Sequence, residues 1–180
     1  YLEVTDTIYV SIAGTRLLGP MMVMNNNGII VSYIASDEEI NVLKEKSRLT
    51  VERLKTKYTA IGNLIATNDH GAIVSPLCSD VKTQIQDILG VSVISMSISG
   101  FIQTGAMIVA TNKGAAAYPN ISDDEVKTIS DILNVNVEPV TINGGIPFLA
   151  SGIIANSKSV VVGNMTSGPE LIMLSRAFNV

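Results

Sequence analysis

The sequence predicts an α/β fold of repeated modules set in a propeller-like ring, and three observations carry that reading. Small residues recur at spacings of 43, 43 and 45 through the 180-residue chain. Inside each period two short apolar runs flank an Asn-containing turn, which is a β-hairpin signature. A serine and an acidic residue then open a stretch with helical spacing of its apolar positions.

The period is anchored by Gly19, Gly62, Gly105 and Ala150, each nine positions before Gly28, Gly71, Gly114 and Ser159. First hairpin strands are predicted at Met21 to Met24, Leu64 to Ala66, Met107 to Ala110 and Ile153 to Ala155. They lead to Asn25, Asn68, Asn112 and Asn156, and second strands follow at Ile29 to Val31, Ala72 to Val74, Ala115 to Ala117 and Val160 to Val162. Asn and Gly tolerate the positive φ that tight hairpin turns demand. Pro76 and Pro119 close the second strands of the middle units, where the first unit carries Tyr33. Helix starts are predicted at Asp37, Asp80 and Asp123, with Ser36, Ser79 and Ser122 as N-caps. The fourth unit uses Gly168, Pro169 and Glu170 to the same end. Return strands rich in β-branched residues follow at Val51 to Leu54, Val91 to Ile94 and Val135 to Val140, with a further one at Leu2 to Val4. The whole is one repeat domain over residues 1–180, with units near 1–48, 49–90, 91–134 and 135–180.

Composition narrows the function. Hydrophobic residues make up 47% of the chain, enough for a real core. No apolar run approaches the roughly 18 residues of a membrane span, so a soluble protein is expected. No secretory pattern opens the chain, and because Tyr1 is not an initiator methionine a longer N-terminal piece is expected. The single cysteine, Cys78, fits a reducing compartment, with the cytoplasm as the default. A net charge of −4 argues against a protein that wraps phosphate backbones, and aromatics at 4% with no Trp argue against a base-stacking platform. Any nucleic-acid contact is expected to be local.

Several segments carry a family resemblance: AIGNLIATNDHGAIVSP from Ala60 to Pro76, ATNKGAAAYP from Ala110 to Pro119, Asn143-Gly144-Gly145, IIANSK from Ile153 to Lys158, and SGPEL from Ser167 to Leu171. With SIAGTRLLG from Ser11 to Gly19 they occur in the order of the archaeal translation initiation factor 6 family, which the chain resembles over essentially its whole length. The resemblance implies a pentein fold, five modules closed in a ring. Only four are counted here, so the first module is expected to be missing from this sequence. It also implies a ribosome anti-association factor that binds the large subunit where the small one joins and excludes it sterically. No chemistry, cofactor or small-molecule substrate is required, and a monomer is expected.

In the ring so implied, residues leading into each first hairpin strand gather on one rim. Arg16, Gly62, Asn63, Gly105, Asn143 and Gly144 are the ribosome-binding candidates there, with Asn63 first, and Gly14, Gly19, Lys57, Gly100 and Gly145 lie along the same rim. The plainer reading is that the glycines simply let strands pack closely. An acidic factor is expected to favour a basic ribosomal protein over bare RNA.

Catalytic and metal signals are weaker. Pentein rings also support guanidino-modifying enzymes, and the alternative function is such an enzyme using Cys78, whose thiolate a helix N-terminus would favour. The bland reading of Cys78 is a small buried residue, and no carboxylate pair accompanies it. His70 is the only histidine, reads as exposed turn filler and has no companion for a metal. Gly144-Gly145 lacks the Lys-Ser or Lys-Thr of a phosphate loop and reads as a tight turn. Asn120-Ile121-Ser122 and Asn164-Met165-Thr166 match a glycosylation pattern but read as turn and cap residues in a cytoplasmic protein. Met21, Met22 and Met24 read as strand core. Lys44, Lys46, Arg48, Arg53, Lys55 and Lys57, interleaved with Glu45 and Glu52, form the densest basic stretch, a solvated face or a local meeting point with ribosomal RNA.

Overall fold

The computed structural model describes Val4 and residues 7–180. Its architecture is mixed α/β. The first module places α1 (Leu18–Met21) before the hairpin β1 (Met22–Met24) and β2 (Gly28–Val31), then α2 (Asp37–Ser47) and β3 (Thr50–Arg53). The second has β4 (Ile65–Thr67), β5 (Gly71–Val74), α3 (Lys82–Leu89) and β6 (Ser92–Ser95). The third has α4 (Thr104–Met107), β7 (Ile108–Ala110), β8 (Ala115–Ala117), α5 (Asp123–Leu133) and β9 (Val137–Pro139). The fourth has β10 (Ile153–Ala155), β11 (Val160–Val162) and α6 (Gly168–Phe178).

Each hairpin is antiparallel, and each return strand pairs in parallel with the second hairpin strand across the helical crossover. The sheets are therefore three-stranded except β10–β11, which has two strands among the described residues. The expected strand at Leu2 to Val4 lies, apart from Val4, outside the described residues.

Helices cover sheets across module boundaries. α3 packs on β2 of the preceding sheet, α5 on β5 and α6 on β8. The cores are accordingly shared: Ile30 of β2 buries with Ile85, Ile88 and Leu89, Ile73 of β5 with Ile129 and Leu133, and Ala116 of β8 with Leu174, Ala177 and Phe178. This explains the periodic glycines. A Cβ on Gly28, Gly71 or Gly114 would collide with the carbonyl oxygen of Ile88, Ile132 or Ala177, so the turn glycines admit the end of the next helix. None of the three has positive φ.

The turn asparagines likewise act differently from expectation. Asn25, Asn68 and Asn156 do not adopt positive φ. Their side chains fold back instead: Asn68 Oδ1 accepts from the N–H groups of His70 and Gly71 at 2.9 and 3.1 Å, and Asn25 and Asn156 do the same for their own turns. In the third turn Thr111, not Asn112, takes this place, its Oγ1 accepting from Lys113 and Gly114 N–H. Asn112 stands one position on, where its amide donates to Asp69 Oδ2 at 2.5 Å. Asp69 also accepts from the backbone N–H and amide of Asn26, so one carboxylate ties three successive turns.

Two helix starts follow the prediction closely. Ser36 and Ser122 cap α2 and α5 in full capping boxes with Glu39 and Glu125. The third expected start is corrected. Ser79 and Asp80 do not cap a helix; Pro76 launches a 3-10 turn, Pro76–Val81, capped by Ser75, and the α-helix begins at Lys82. Lys82 occupies the position of the capping-box glutamate in the other units, and a cation cannot accept from the cap N–H. The first hairpin strands of the first three modules start one residue later than predicted, because Leu18–Met21 and Thr104–Met107 are helical and Leu64 ends a 3-10 turn, while that of the fourth starts at Ile153 as predicted.

Among the described residues no helix is long and apolar enough to cross a membrane.

Candidate functional site

The candidate face is built from the short turns that precede the hairpins. α1, the 3-10 turn Ile61–Asn63, α4 and the 3-10 turn Leu149–Ser151 touch one another in series. The series is interlocked through glycine: a Cβ on Gly62 would strike the Gly19 carbonyl oxygen, and one on Gly105 would strike that of Gly62. Gly105 is buried and Gly62 half-buried, so their lack of side chain serves packing. Asn63 is half-exposed and lines a hollow of about 600 Å³ with Gly19, Gly62, Phe148 and Ser151. The structure thus brings Gly62 and Asn63 together there. Arg16 is exposed and lines a separate hollow with Tyr9, Val10, Ser11 and Leu18.

Asn143 and Gly144 belong to a turn of a different kind. Asn143, Gly144 and Gly145 all have positive φ, and the bridge between Ile142 and Ile146 closes the loop. The N–H groups of Gly144 and Gly145 donate to the two oxygens of Glu170 at 3.1 and 2.9 Å, while Glu170 also accepts from Ser167 N–H at the start of α6. The diglycine cradles this protein's own carboxylate. The arrangement recurs: Glu39 accepts from Ala13, Gly14 and Ser36, and Glu125 accepts from Ser99 and Ser122. Burial opposes ionisation of Glu39 and Glu170, but the N–H donors outweigh it and hold both carboxyls at about 2. Asp69 and Glu125 are lowered by the same balance, burial against backbone and amide donors. The Ser-x-x-Glu spacing was present in the sequence; the second partner, some 26 residues upstream, was not readable from it.

Sequence reasoning missed the most conspicuous feature of this face. Phe101, Ile102, Ile146 and Phe148 are 39 to 43% exposed. Phe101 packs between Tyr118 and Phe148, with ring centroids 5.4 and 6.4 Å away, the latter edge-on. Phe148 also lines the Asn63 hollow, so aromatic patch and hollow are continuous. Two of the chain's three phenylalanines stand here in contact with water. No periodicity marks them, because they come from turns of different modules.

Cys78 is fully buried, and burial, aided by the charge of Asp80, pushes its thiol up to about 11. Such a thiol supplies no nucleophile at neutral pH, which removes the support for the guanidino-modifying reading. His70 is exposed in its turn, as expected. Among the described residues no cluster of three His, Cys, Asp or Glu side chains could hold a metal.

Exposed aromatics beside a shallow hollow have the character of a binding surface. Known proteins place the chain itself among translation initiation factors. A family model described as the eIF-6 family matches residues 1–177, and the chain belongs to that family. It is 54% identical over 174 residues to translation initiation factor 6 of Cenarchaeum symbiosum (strain A), covering 96% of this chain and 79% of that protein. It is 53% identical over 179 residues to the factor of the same name from Nitrosopumilus maritimus (strain SCM1), covering 99% and 80%. For the Pyrococcus furiosus factor the identity is 47% over 173 residues, covering 93% and 76%. These relatives are named as initiation factors, not as enzymes.

Proposed function

We propose that this chain binds the large ribosomal subunit at its subunit-joining face and prevents the small subunit from docking there by occupying the space. The observation that carries the reading is the exposed Phe101, Ile102, Ile146 and Phe148 patch running into the Asn63 hollow, in a member of a translation-factor family. Apolar aromatic anchors beside polar groups form the usual core of a protein interface. Asn63 and Arg16 offer the polar contacts, and Arg16 is in no ion pair among the described residues. Gly62 and Gly105 shape the face by letting neighbouring turns interlock, and Asn143 and Gly144 by forming the turn that Glu170 holds. With a net charge of −4 the protein favours a basic ribosomal protein over bare RNA, and it acts in this reading as a cytoplasmic monomer. The module series is read as part of a pentein ring, with units near 1–48, 49–90, 91–134 and 135–180.

Sedimentation tests this. The protein is expected to pellet with isolated large subunits and, in excess, to block subunit joining. Phe101→Ala with Phe148→Ala is expected to weaken pelleting at least tenfold, since two central aromatic anchors each contribute about 1 kcal/mol or more. A folded protein that stays in the supernatant, or a double variant that binds as well as the parent, refutes the assignment.

A further inference from the structure

The basic stretch singled out in the sequence has a shape that the docking face does not use. Lys44, Lys46, Arg48, Arg53, Lys55 and Lys57 are half of the twelve cationic residues of an acidic chain. In the structure two hollows join end to end on the outside of the first and second modules and share Tyr33 and Lys55. Lys44 and Arg53 line the first, and Lys57 and Tyr58 the second. A third, smaller hollow carries Lys57 and Tyr58 on to Asn63 and Gln103, so the groove opens onto the docking face.

Tyr33 sits at the centre of this groove and is 45% exposed. The corresponding place in the next two modules is Pro76 and Pro119, so the repeat itself does not require an aromatic ring here. Lys57 Nζ lies 5.4 Å above the Tyr58 ring, a cation held in place on an aromatic face. Three carboxylates line the same groove. Asp37 is engaged with Arg53 at 2.7 Å, leaving Glu52 in the first hollow and Asp80 in the second against Lys44, Lys55 and Lys57. The groove thus keeps a small positive excess, three lysines against two carboxylates, which suits a short segment with few phosphates and one stacked base, not a long track. An acidic peptide would use the lysines but leave the exposed ring without a partner.

We propose that this groove binds a short single-stranded segment of RNA, with Tyr33 stacking on a base and Lys44, Lys55 and Lys57 meeting phosphates. In the bound factor the segment is a loop of ribosomal RNA; that source rests on the function proposed above, whereas binding of a free oligonucleotide does not.

The test is fluorescence anisotropy with a labelled oligouridine of about twelve nucleotides at about 50 mM salt. Binding should weaken with salt at a log–log slope of about −1.4 to −2.1, the value for two or three phosphates on a single strand. Lys55→Gln with Lys57→Gln should flatten that slope by about 1.4 and weaken binding about tenfold. Tyr33→Ala should weaken it about fivefold or more with the slope unchanged. Tyr33→Pro, which introduces the residue of the second and third modules, should do the same in a chain whose circular dichroism is native. Lys113→Gln with Lys127→Gln, outside the groove, should have no effect. The proposal is overturned if the groove variants bind like the parent, if the outside pair weakens binding equally, or if duplex RNA or oligoglutamate binds as tightly as the single strand. Groove variants that lose oligouridine but pellet with subunits like the parent support the RNA groove and overturn its ribosomal source; pelleting absent in the parent with RNA binding intact refutes the ribosomal function alone.

Discussion

Asn68→Ala is the sharpest test of how the modules are joined. The side chain is 5% exposed and makes four hydrogen bonds. Its Oδ1 accepts from His70 and Gly71 N–H, and its Nδ2 donates to the carbonyls of Thr111 at 3.0 Å and Leu133 at 2.8 Å. Truncation lets water reach the exposed His70 but strands Gly71 N–H and the two carbonyls. A buried group left without its partner costs about 1–3 kcal/mol, so three of them, partly relieved by relaxation of the turn, set a loss in the lower part of the summed range, about 3–5 kcal/mol. For a chain of this size that lowers the melting temperature by roughly 6–20 °C. Asn25→Ala is the internal control. Asn25 Nδ2 donates to Leu89 O, but so does Asn27 Nδ2 at 2.9 Å, so that carbonyl keeps a partner and the loss should be smaller. Asn68→Thr should recover part of the loss, because Thr111 performs the acceptor half of this role in the third turn. Urea unfolding followed by circular dichroism measures all three. If Asn68→Ala lies within about 1 kcal/mol of the parent, or Asn25→Ala is the more damaging, the accounting by stranded groups is wrong.

Ser32 buries a hydroxyl with no partner, so Ser32→Ala should leave stability unchanged or raise it by about 1 kcal/mol in the same unfolding assay. Gly71→Ala should cost about 1–3 kcal/mol or more, because its methyl meets the Ile132 carbonyl, and the melting temperature reads this directly. Glu39 and Glu170 have folded-state values of about 2 against an ordinary 4.5; their contribution is complete above about 4.5 and is lost as pH falls toward 2. The melting temperature should thus hold down to about pH 5 and fall below it, and Glu170→Gln should be less stable at neutral pH with a shallower acid decline. Cys78 should resist a thiol reagent at neutral pH until denaturant is added, since its thiol is buried and titrates near 11.

The alternation of hairpin, helix and return strand was legible because apolar period and small-residue spacing act locally. The reasons behind individual residues were less so. Gly28, Gly71 and Gly114 read as turn formers, yet their smallness serves a helix end some 60 residues away in sequence. Asn112 matched the asparagine pattern by type while Thr111 holds the place by hydrogen bonding, as the spacing itself gives: Asn25, Asn68 and Thr111 each stand six positions after Gly19, Gly62 and Gly105. Ser79 and Asp80 carried a helix-start signal that Pro76 and Lys82 overrode. On the candidate face, Asn63 was legible from its motif, whereas Phe101 and Phe148 were not. Their contact joins loops 47 positions apart, and nothing in a local pattern marks a side chain that the fold leaves in water.

Because α3, α5 and α6 each cover the sheet before their own, the order of synthesis matters. When β2 has left the ribosome, the side of it that carries Ile30 has no cover until α3 emerges some 50 residues later, and β5 and β8 wait for α5 and α6 in turn. At every stage the growing chain therefore ends in an apolar surface awaiting its lid. A pause between modules holds that surface open to other chains, and a cut between them separates the two halves of one core rather than two finished pieces.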